Sequence, residues 1–277
     1  MTEPMLQIEG LSLWISRKRE RRPILEGLSF AVREGERWAV AGESGAGKSM
    51  TVHALSALLP RDQVTLEGKI LFRDRDGTVT DLLALPYGQR QAFCARRVSL
   101  IMQDSMNALN PYMTIGRQWG NVLRLHGKAA DPRQARRHIA AQLPQFGISD
   151  AGSLLEKYPH QISGGMRQRI VIAMALESPA RILLADEPTT ALDTVNQRRI
   201  VELIRRLCAE RQLTLLYVSH NLGILASLCT HAMVMRRGRI VEQGPADGVF
   251  LHPERPYTRL LAEETGRLFE GGAPWNT

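Results

Sequence analysis

A lysine and a serine, Lys48 and Ser49, close the stretch GESGAGKS that begins at Gly42. The spacing fits G-x-x-x-x-G-K-[ST], a phosphate-binding loop. Glycine accepts positive φ and lets backbone N–H groups come close to a ligand. Lys48 would reach the β- and γ-phosphates of a nucleotide, and Ser49 would ligate Mg²⁺. Glu43, Ser44, Gly45, Ala46 and Gly47, with Met50 behind them, complete the candidate nucleotide site. Such a loop names a phosphate site and not a reaction: kinases, GTPases, motors and transporters share it. The plain alternative is a glycine-rich turn between a strand and a helix.

A second stretch, RILLADEP, runs from Arg181 to Pro188. Its apolar positions bury a strand and deliver Asp186 at the C-terminal end, the edge where open α/β sheets bind ligands. Asp186 would hold the Mg²⁺ shell. Glu187 comes next, points the other way and would polarise an attacking water. His220 ends the apolar run LLYVSH and could contact the γ-phosphate, and Gln103 ends RRVSLIMQ. Taken alone, each is a strand-end polar residue of the ordinary structural kind. HQISGGMRQR, His160–Arg169, changes that balance. Ser163, Gly164 and Gly165 open a helix, which makes a second anion-binding terminus with a side-chain hydroxyl. One nucleotide does not need two such termini on one chain. Two chains packed head to tail would use both, with the loop of one facing the Ser-Gly-Gly of the other across ATP.

The elements that must carry these residues read as a mainly parallel α/β core. RWAVA before the loop is a short buried strand, and a helix starts at Met50. LQIEGLSLWIS and ILEGLSFAV alternate as two strands facing each other across a basic loop. EGKILFRD and RRVSLIMQ read as further strands. NALNPYMTIGRQWGNVLRLHG and DPRQARRHIAAQLPQFG carry helical periodicity, bounded by Asn-Pro, Asp-Pro and Gly. GMRQRIVIAMALES, NQRRIVELIRRLCAE and NLGILASLC read as helices, and RILLADEP and LTLLYVSH as buried strands. AMVMRRGRIVEQG reads as a hairpin turning at Arg237-Gly238. Strands alternating with helices imply a parallel sheet covered on both faces. The fold class is therefore an α/β P-loop NTPase core with a small antiparallel β subdomain and an inserted helical subdomain. The boundaries drawn are 1–103 for the first part of the core with the antiparallel subdomain and 104–160 for the helical insertion. Residues 161–250 form the second part of the core, and 251–277 a C-terminal tail.

The chain has 277 residues and a formal net charge of +8, carried mostly by arginine. No apolar run approaches the ~20 residues needed to cross a bilayer. The start, MTEPMLQIEG, lacks a basic region followed by an apolar one, so a cytosolic protein is expected. RKRERR, Arg17–Arg22, lacks interleaved aromatics for base stacking, so it reads as a solvated loop and no nucleic-acid partner is expected. Cys94, Cys208 and Cys229 have no metal-ligand spacing and suggest no disulfide framework.

In order and over nearly its full length, the chain resembles the ATPase subunits of ATP-binding cassette (ABC) transporters. GESGAGKS resembles their Walker A loop, Gln103 the Q-loop, ISGGM the signature, ILLADE Walker B, Ala191-Leu192-Asp193 the D-loop and His220 the switch histidine. QDSMNALNP (Gln103–Pro111), YPHQISGGMRQR and HPERPYTRLL (His252–Leu261) resemble the oligopeptide, dipeptide and nickel importer branch. The resemblance implies that Asp193, Ser163, Gly164 and Gly165 contribute to nucleotide binding, that Gln103 also touches Mg²⁺, and that Glu187 and His220 are catalytic. It implies ATP and Mg²⁺ as cofactors and a second ATPase subunit, identical or related. It also implies two membrane permeases, an extracytoplasmic binding protein acting indirectly, and a peripheral position on the cytoplasmic face of the plasma membrane. The region after Gln103, including Met106–Pro111, would form the groove for a permease coupling helix.

There are departures. Ile162 opens the signature where Leu or Phe is usual, and Asn221 follows the switch histidine where Asp is usual. The aromatic expected on adenine has no clean match; Trp14 is the nearest candidate, one position off. The chain ends at FEGGAPWNT without the cysteine-rich extension of many peptide-importer members, which tilts expectation toward nickel or a metal chelate with peptide open. Three other readings compete. One is an ATPase-like subunit of a soluble carbon–phosphorus lyase complex. Another is a soluble ABC ATPase of translation or DNA repair, which would usually show two cassettes or a long coiled-coil insertion. The third is a P-loop small-molecule kinase, which would not need Ser-Gly-Gly or ALD.

Overall fold

In the computed structural model the described residues are 3–17, 20–103, 108–148, 151–190 and 192–266. The strands, in chain order, are β1 (Leu6–Arg17), β2 (Glu20–Val32), β3 (Arg37–Ala41), β4 (Val64–Arg73), β5 (Val79–Asp81), β6 (Val98–Ile101), β7 (Ile182–Asp186), β8 (Thr214–Val218), β9 (His231–Arg236) and β10 (Arg239–Pro245). The helices are α1 (Lys48–Ser56), α2 (Tyr87–Arg97), α3 (Ile115–Leu125), α4 (Pro132–Gln142), α5 (Ala151–Leu154), α6 (Gly164–Ala175), α7 (Thr194–Arg211), α8 (Leu222–Leu228), α9 (Ala246–Leu251) and α10 (Pro256–Gly266).

Two sheets form. One is antiparallel, in the order β2-β1-β4-β5, and the other runs β10-β9-β3-β8-β7-β6. In the second sheet β9, β3, β8, β7 and β6 are parallel neighbours, and β10 closes the edge antiparallel to β9. Strand side chains alternate between faces, and here that alternation sorts the apolar residues into two cores. Ala39, Ala41, Leu183, Ala185, Leu215, Tyr217, Ala232 and Val234 enter the core shared with α3, α4 and α6–α9. Their neighbours Trp38, Val40, Ile182, Leu184, Leu216, Val218, Met233 and Met235 enter the core under β1, β2, β4 and α1. A central sheet buried on both faces explains why its strands read as continuous apolar runs.

Helix starts follow from local chemistry. Thr114, Asp131, Ser163, Asp193 and Asn221 precede α3, α4, α6, α7 and α8, and each side chain accepts the backbone N–H three residues on. Such a cap stabilises a helix by about 0.5–2 kcal/mol. Between β6 and α6 the described chain is helical. Helices α3 and α4 pack closely, so that a Cβ at Gly120 would make ordinary contact with that of Ala135 at 3.5 Å. Glu177, just after α6 and 4 % exposed, anchors this region to the core. It accepts hydrogen bonds from Trp119 Nε1 on α3 at 3.1 Å and from Lys128 Nζ at 2.9 Å, and His138 Nε2 on α4 lies 3.1 Å from its Oε2.

Some elements differ from expectation. RRVSLIMQ is not one strand from Arg96: α2 runs through Arg97, and β6 starts at Val98. Helix α2 buries only Cys94, so it leaves no apolar stripe to read. The last stretch contains α9 and α10, and Tyr257 of α10 is buried against the core. The hairpin at Arg237-Gly238 turns through left-handed backbone at both residues, φ 47° and 77°, as a tight hairpin turn requires.

Candidate nucleotide site

Strand β3 ends at Ala41, and the loop folds under three elements distant in sequence. At Gly42 (φ 141°) a Cβ would lie 2.3 Å from the Met235 carbonyl oxygen of β9. At Gly47 (φ 104°) it would lie 2.7 Å from Leu25 Cδ2 of β2. Both positions therefore need glycine on two counts, backbone conformation and space. Gly238 N–H, in the hairpin, donates to the Ala46 carbonyl at 2.9 Å, while Glu43, Ser44 and Gly45 form the exposed rim. Met50 packs partly buried against the core under β1 and β2.

Helix α1 begins at Lys48 with no acidic residue in its first turn, which leaves its N-terminus positive. Lys48 is 6 % exposed, and its Nζ donates to the carbonyls of Gly42 (2.8 Å) and Glu43 (2.9 Å). Burial pulls its pKa down, against the charges of Glu187, Asp186 and Glu43. Ser49 Oγ donates to Asp186 Oδ1 at 2.9 Å. Asp186 is 2 % exposed at the end of β7; burial raises its pKa, opposed chiefly by the Ser49 bond and the nearby His53. A hydroxyl and a buried carboxylate side by side are hard oxygen donors, the set that a small divalent cation such as Mg²⁺ takes.

Glu187 sits in left-handed backbone, φ 44°, with its N–H on the Val218 carbonyl of β8 at 3.0 Å. For a non-glycine residue that conformation costs on the order of 1–3 kcal/mol, and such strain gathers at functional sites. Its Oε2 accepts from Gln103 Nε2 at 3.2 Å and from Thr190 Oγ1 at 2.8 Å, and His220 Nδ1 lies 3.5 Å away. The His220 side chain is 66 % exposed and the Glu187 side chain 15 %. Lys48, Ser49, Gln103, Asp186, Glu187 and His220 thus converge from four separate stretches of chain. Asn221 beside His220 caps α8 through Ile224 N–H at 3.2 Å, the capping role an aspartate would have there.

Ser163, Gly164 and Gly165 form a separate group. Ser163 Oγ accepts from Met166 N–H at 3.3 Å, and its residue is exposed. A Cβ on Gly165 would meet Asn196 Oδ1 at 3.3 Å. Asn196 in turn donates to Asp193 Oδ2 at 2.6 Å, and Asp193 Oδ1 accepts its N–H at 3.0 Å. Ser163, Gly165 and Asp193 are therefore neighbours through Asn196. Among the described residues no hydrogen bond joins Ser163, Gly164 or Gly165 to the phosphate loop.

Trp14 requires a correction. On β1, Leu13 pairs with Leu66, Trp14 with Thr65 and Ile15 with Val64. Leu13, Ile15, Val64 and Leu66 face the core that reaches Met50, whereas Thr65 is exposed. Trp14 therefore faces the other way, along a groove with Ser12, Pro23 and Arg239, and Arg21 lies 4.1 Å over its ring. The side chain of β1 that faces the loop's side is Ile15. Sequence reasoning also missed Thr190, Asn196 and Tyr257, whose hydroxyl accepts the Glu43 N–H at 3.2 Å. Ala191 of the ALD stretch, 104–107 of QDSMNALNP, 18 and 19 of the basic loop, and FEGGAPWNT lie outside the described residues. Among the described residues no helix is long and apolar enough to cross a membrane.

Residues 25–190 match the ABC transporter family. A dipeptide transport ATP-binding protein of Bacillus subtilis is 38% identical over 98% of this chain and 79% of its own length. A putative peptide import ATP-binding protein of Brucella abortus is 40% identical over 96% of this chain and 79% of its own. A glutathione import ATP-binding protein of Pectobacterium atrosepticum is 38% identical over 93% of this chain, which spans only 41% of that longer protein. Among solved structures, a dimeric ATP-binding cassette in a post-hydrolysis state with ADP and phosphate superposes at a TM-score of 0.74, over 87% of this chain and 99% of its own, at 21% identity. A cassette from Clostridium perfringens, part of an ABC transporter complex, gives 0.73 over 97% and 100% at 24% identity. These two show the fold. Family match, relatives and fold agree: the chain belongs to the ABC transporter family as an ATP-binding ATPase subunit.

Proposed function

We propose that this chain powers peptide import, and that two such subunits close on two ATP molecules, each lending half of each site. The observation that carries this reading is the separation of two anion-facing helix starts on one chain. Lys48, Ser49, Asp186, Glu187, Gln103 and His220 cluster at one, and Ser163, Gly165 and Asp193 at the other. The dimeric cassette structure with ADP and phosphate has the same fold and supports the pairing. Gly42 to Met50 cradle the triphosphate, with Lys48 against its terminal phosphates. Ser49, Asp186 and Gln103 hold Mg²⁺, which when bound neutralises charge on the phosphate oxygens. Glu187 orients and deprotonates the attacking water; Thr190 and Gln103 hold its carboxylate, and His220 lies beside it. Ser163, Gly164, Gly165 and Asp193 serve the nucleotide of the partner subunit.

We keep the expected division as part of this reading: a core of 1–103 and 161–250, a helical insertion of 104–160 that meets the permeases, and a C-terminal segment of 251–277. Two permeases complete the system, with this chain at the cytoplasmic face of the membrane and an extracytoplasmic binding protein acting indirectly from the other side. Relatives named for dipeptide, peptide and glutathione import favour peptide over nickel as cargo, and they give no support to the carbon–phosphorus lyase reading. The test is Ser163→Arg. ATP binding to the isolated chain is expected to stay intact, while hydrolysis by the assembled complex is lost. Equal hydrolysis by mutant and wild-type complexes removes Ser163 from the shared site. Uptake of labelled dipeptides against labelled nickel, in cells carrying the system, separates the cargoes.

A further inference from the structure

We infer that α10 is a strap that sets the shape of the phosphate loop, with Tyr257 as its positioning residue. The inference rests on the reading of the loop as a nucleotide site, and adds a residue 214 positions away from it. The Gly42–Glu43 peptide group is gripped on both sides. Its N–H, that of Glu43, donates to Tyr257 Oη at 3.2 Å, and its carbonyl, that of Gly42, accepts from Lys48 Nζ at 2.8 Å. The next carbonyl, that of Glu43, accepts from Lys48 Nζ at 2.9 Å and from Ala46 N–H at 3.2 Å. Tyr257 thus acts through one peptide unit on the lysine that meets the phosphates.

The strap is built and not incidental. Tyr257 is 8 % exposed, and Arg236 at the end of β9 lies 4.6 Å over its ring. Burial raises the phenol's pKa, so the hydroxyl stays protonated. The chain entering α10 is fixed by Glu242 of β10, which accepts the N–H of Glu254 at 2.9 Å and of Arg255 at 3.2 Å. Arg259 closes the turn on the carbonyls of Pro253 (2.9 Å) and Glu254 (3.0 Å). The ring alone would fill the space and keep the Arg236 contact. The hydroxyl makes the hydrogen bond to the loop, and an amide hydrogen bond of this kind contributes about 0.5–1.5 kcal/mol.

Tyr257→Phe is the test, since it removes the hydroxyl and keeps the packing. We expect the Kd for ATP of the isolated chain to rise roughly 3- to 10-fold. In the assembled transporter KM for ATP should rise with kcat unchanged, because Tyr257 does not touch the reacting atoms. Amide exchange at Glu43 should quicken while β7 and β8 keep their protection. By reciprocity of coupled sites, ATP should slow proteolysis around 252–256 in the wild type and less so in the variant. An unchanged Kd with unchanged Glu43 exchange overturns the strap. If the wild-type chain binds no ATP, the nucleotide reading fails, and Glu43 exchange alone decides: equal rates in both proteins overturn the strap, a faster rate in the variant supports it.

Discussion

The phosphate loop and the Ser163 helix start share one piece of physics, a helix N-terminus whose free N–H groups favour anions, but they are finished differently. The loop is closed in from β2, from the hairpin at Gly238 and from α10, so its shape is set by residues far along the chain. The Ser163 start has its own hydroxyl as cap, Asn196 at its back and solvent in front. A site complete within one chain can hold its ligand in isolation. A site open on one side gains its worth only when a second surface arrives. On the function proposed above, the difference separates binding from turnover.

That contrast can be broken at the chemistry first. Glu187→Gln should cut hydrolysis by the assembled complex roughly 10²- to 10⁴-fold, the usual worth of a positioned base, while the isolated chain still binds ATP. Steady-state phosphate release beside equilibrium ATP binding reads both; near wild-type turnover removes Glu187 as the base. Next come the glycines, compared in pairs. Gly47→Ala puts a Cβ 2.7 Å from Leu25 at φ 104°, a strain of about 1–3 kcal/mol that should weaken ATP binding by about tenfold or more. Gly165→Ala meets only Asn196 at 3.3 Å and should leave binding by the isolated chain unchanged. Calorimetric titration of the two variants that gave equal losses would erase the distinction. The smallest effect is expected at Asn196→Ala, which removes the bond to Asp193. It should lower turnover of the complex, read as steady-state phosphate release, without touching ATP binding by the monomer.

The loop was legible in the sequence because its chemistry is contiguous: Gly42 to Ser49 need only each other to be recognised. The central strands were legible because burial on both faces leaves unbroken apolar runs such as ILLA and TLLYV. Helix α2 was not, since its one buried residue is Cys94. Trp14 misled because its facing is decided by pairing with Thr65 on β4, a register that β1 alone does not contain. Thr190 sits three residues from Glu187 and could have been suspected from that spacing. Tyr257 could not, because nothing in HPERPYTRLL says that its chain returns to Glu43.

The buried carboxylate of Glu177 has a mechanical consequence. It hangs from the end of α6, the helix that begins at Gly164, and grips Trp119 on α3 and His138 on α4 at the same time. Three pieces of the fold are thereby tied to one carboxylate. On the function proposed above, a permease that tilts α3 or α4 would draw on the helix whose far end carries Gly164 and Gly165.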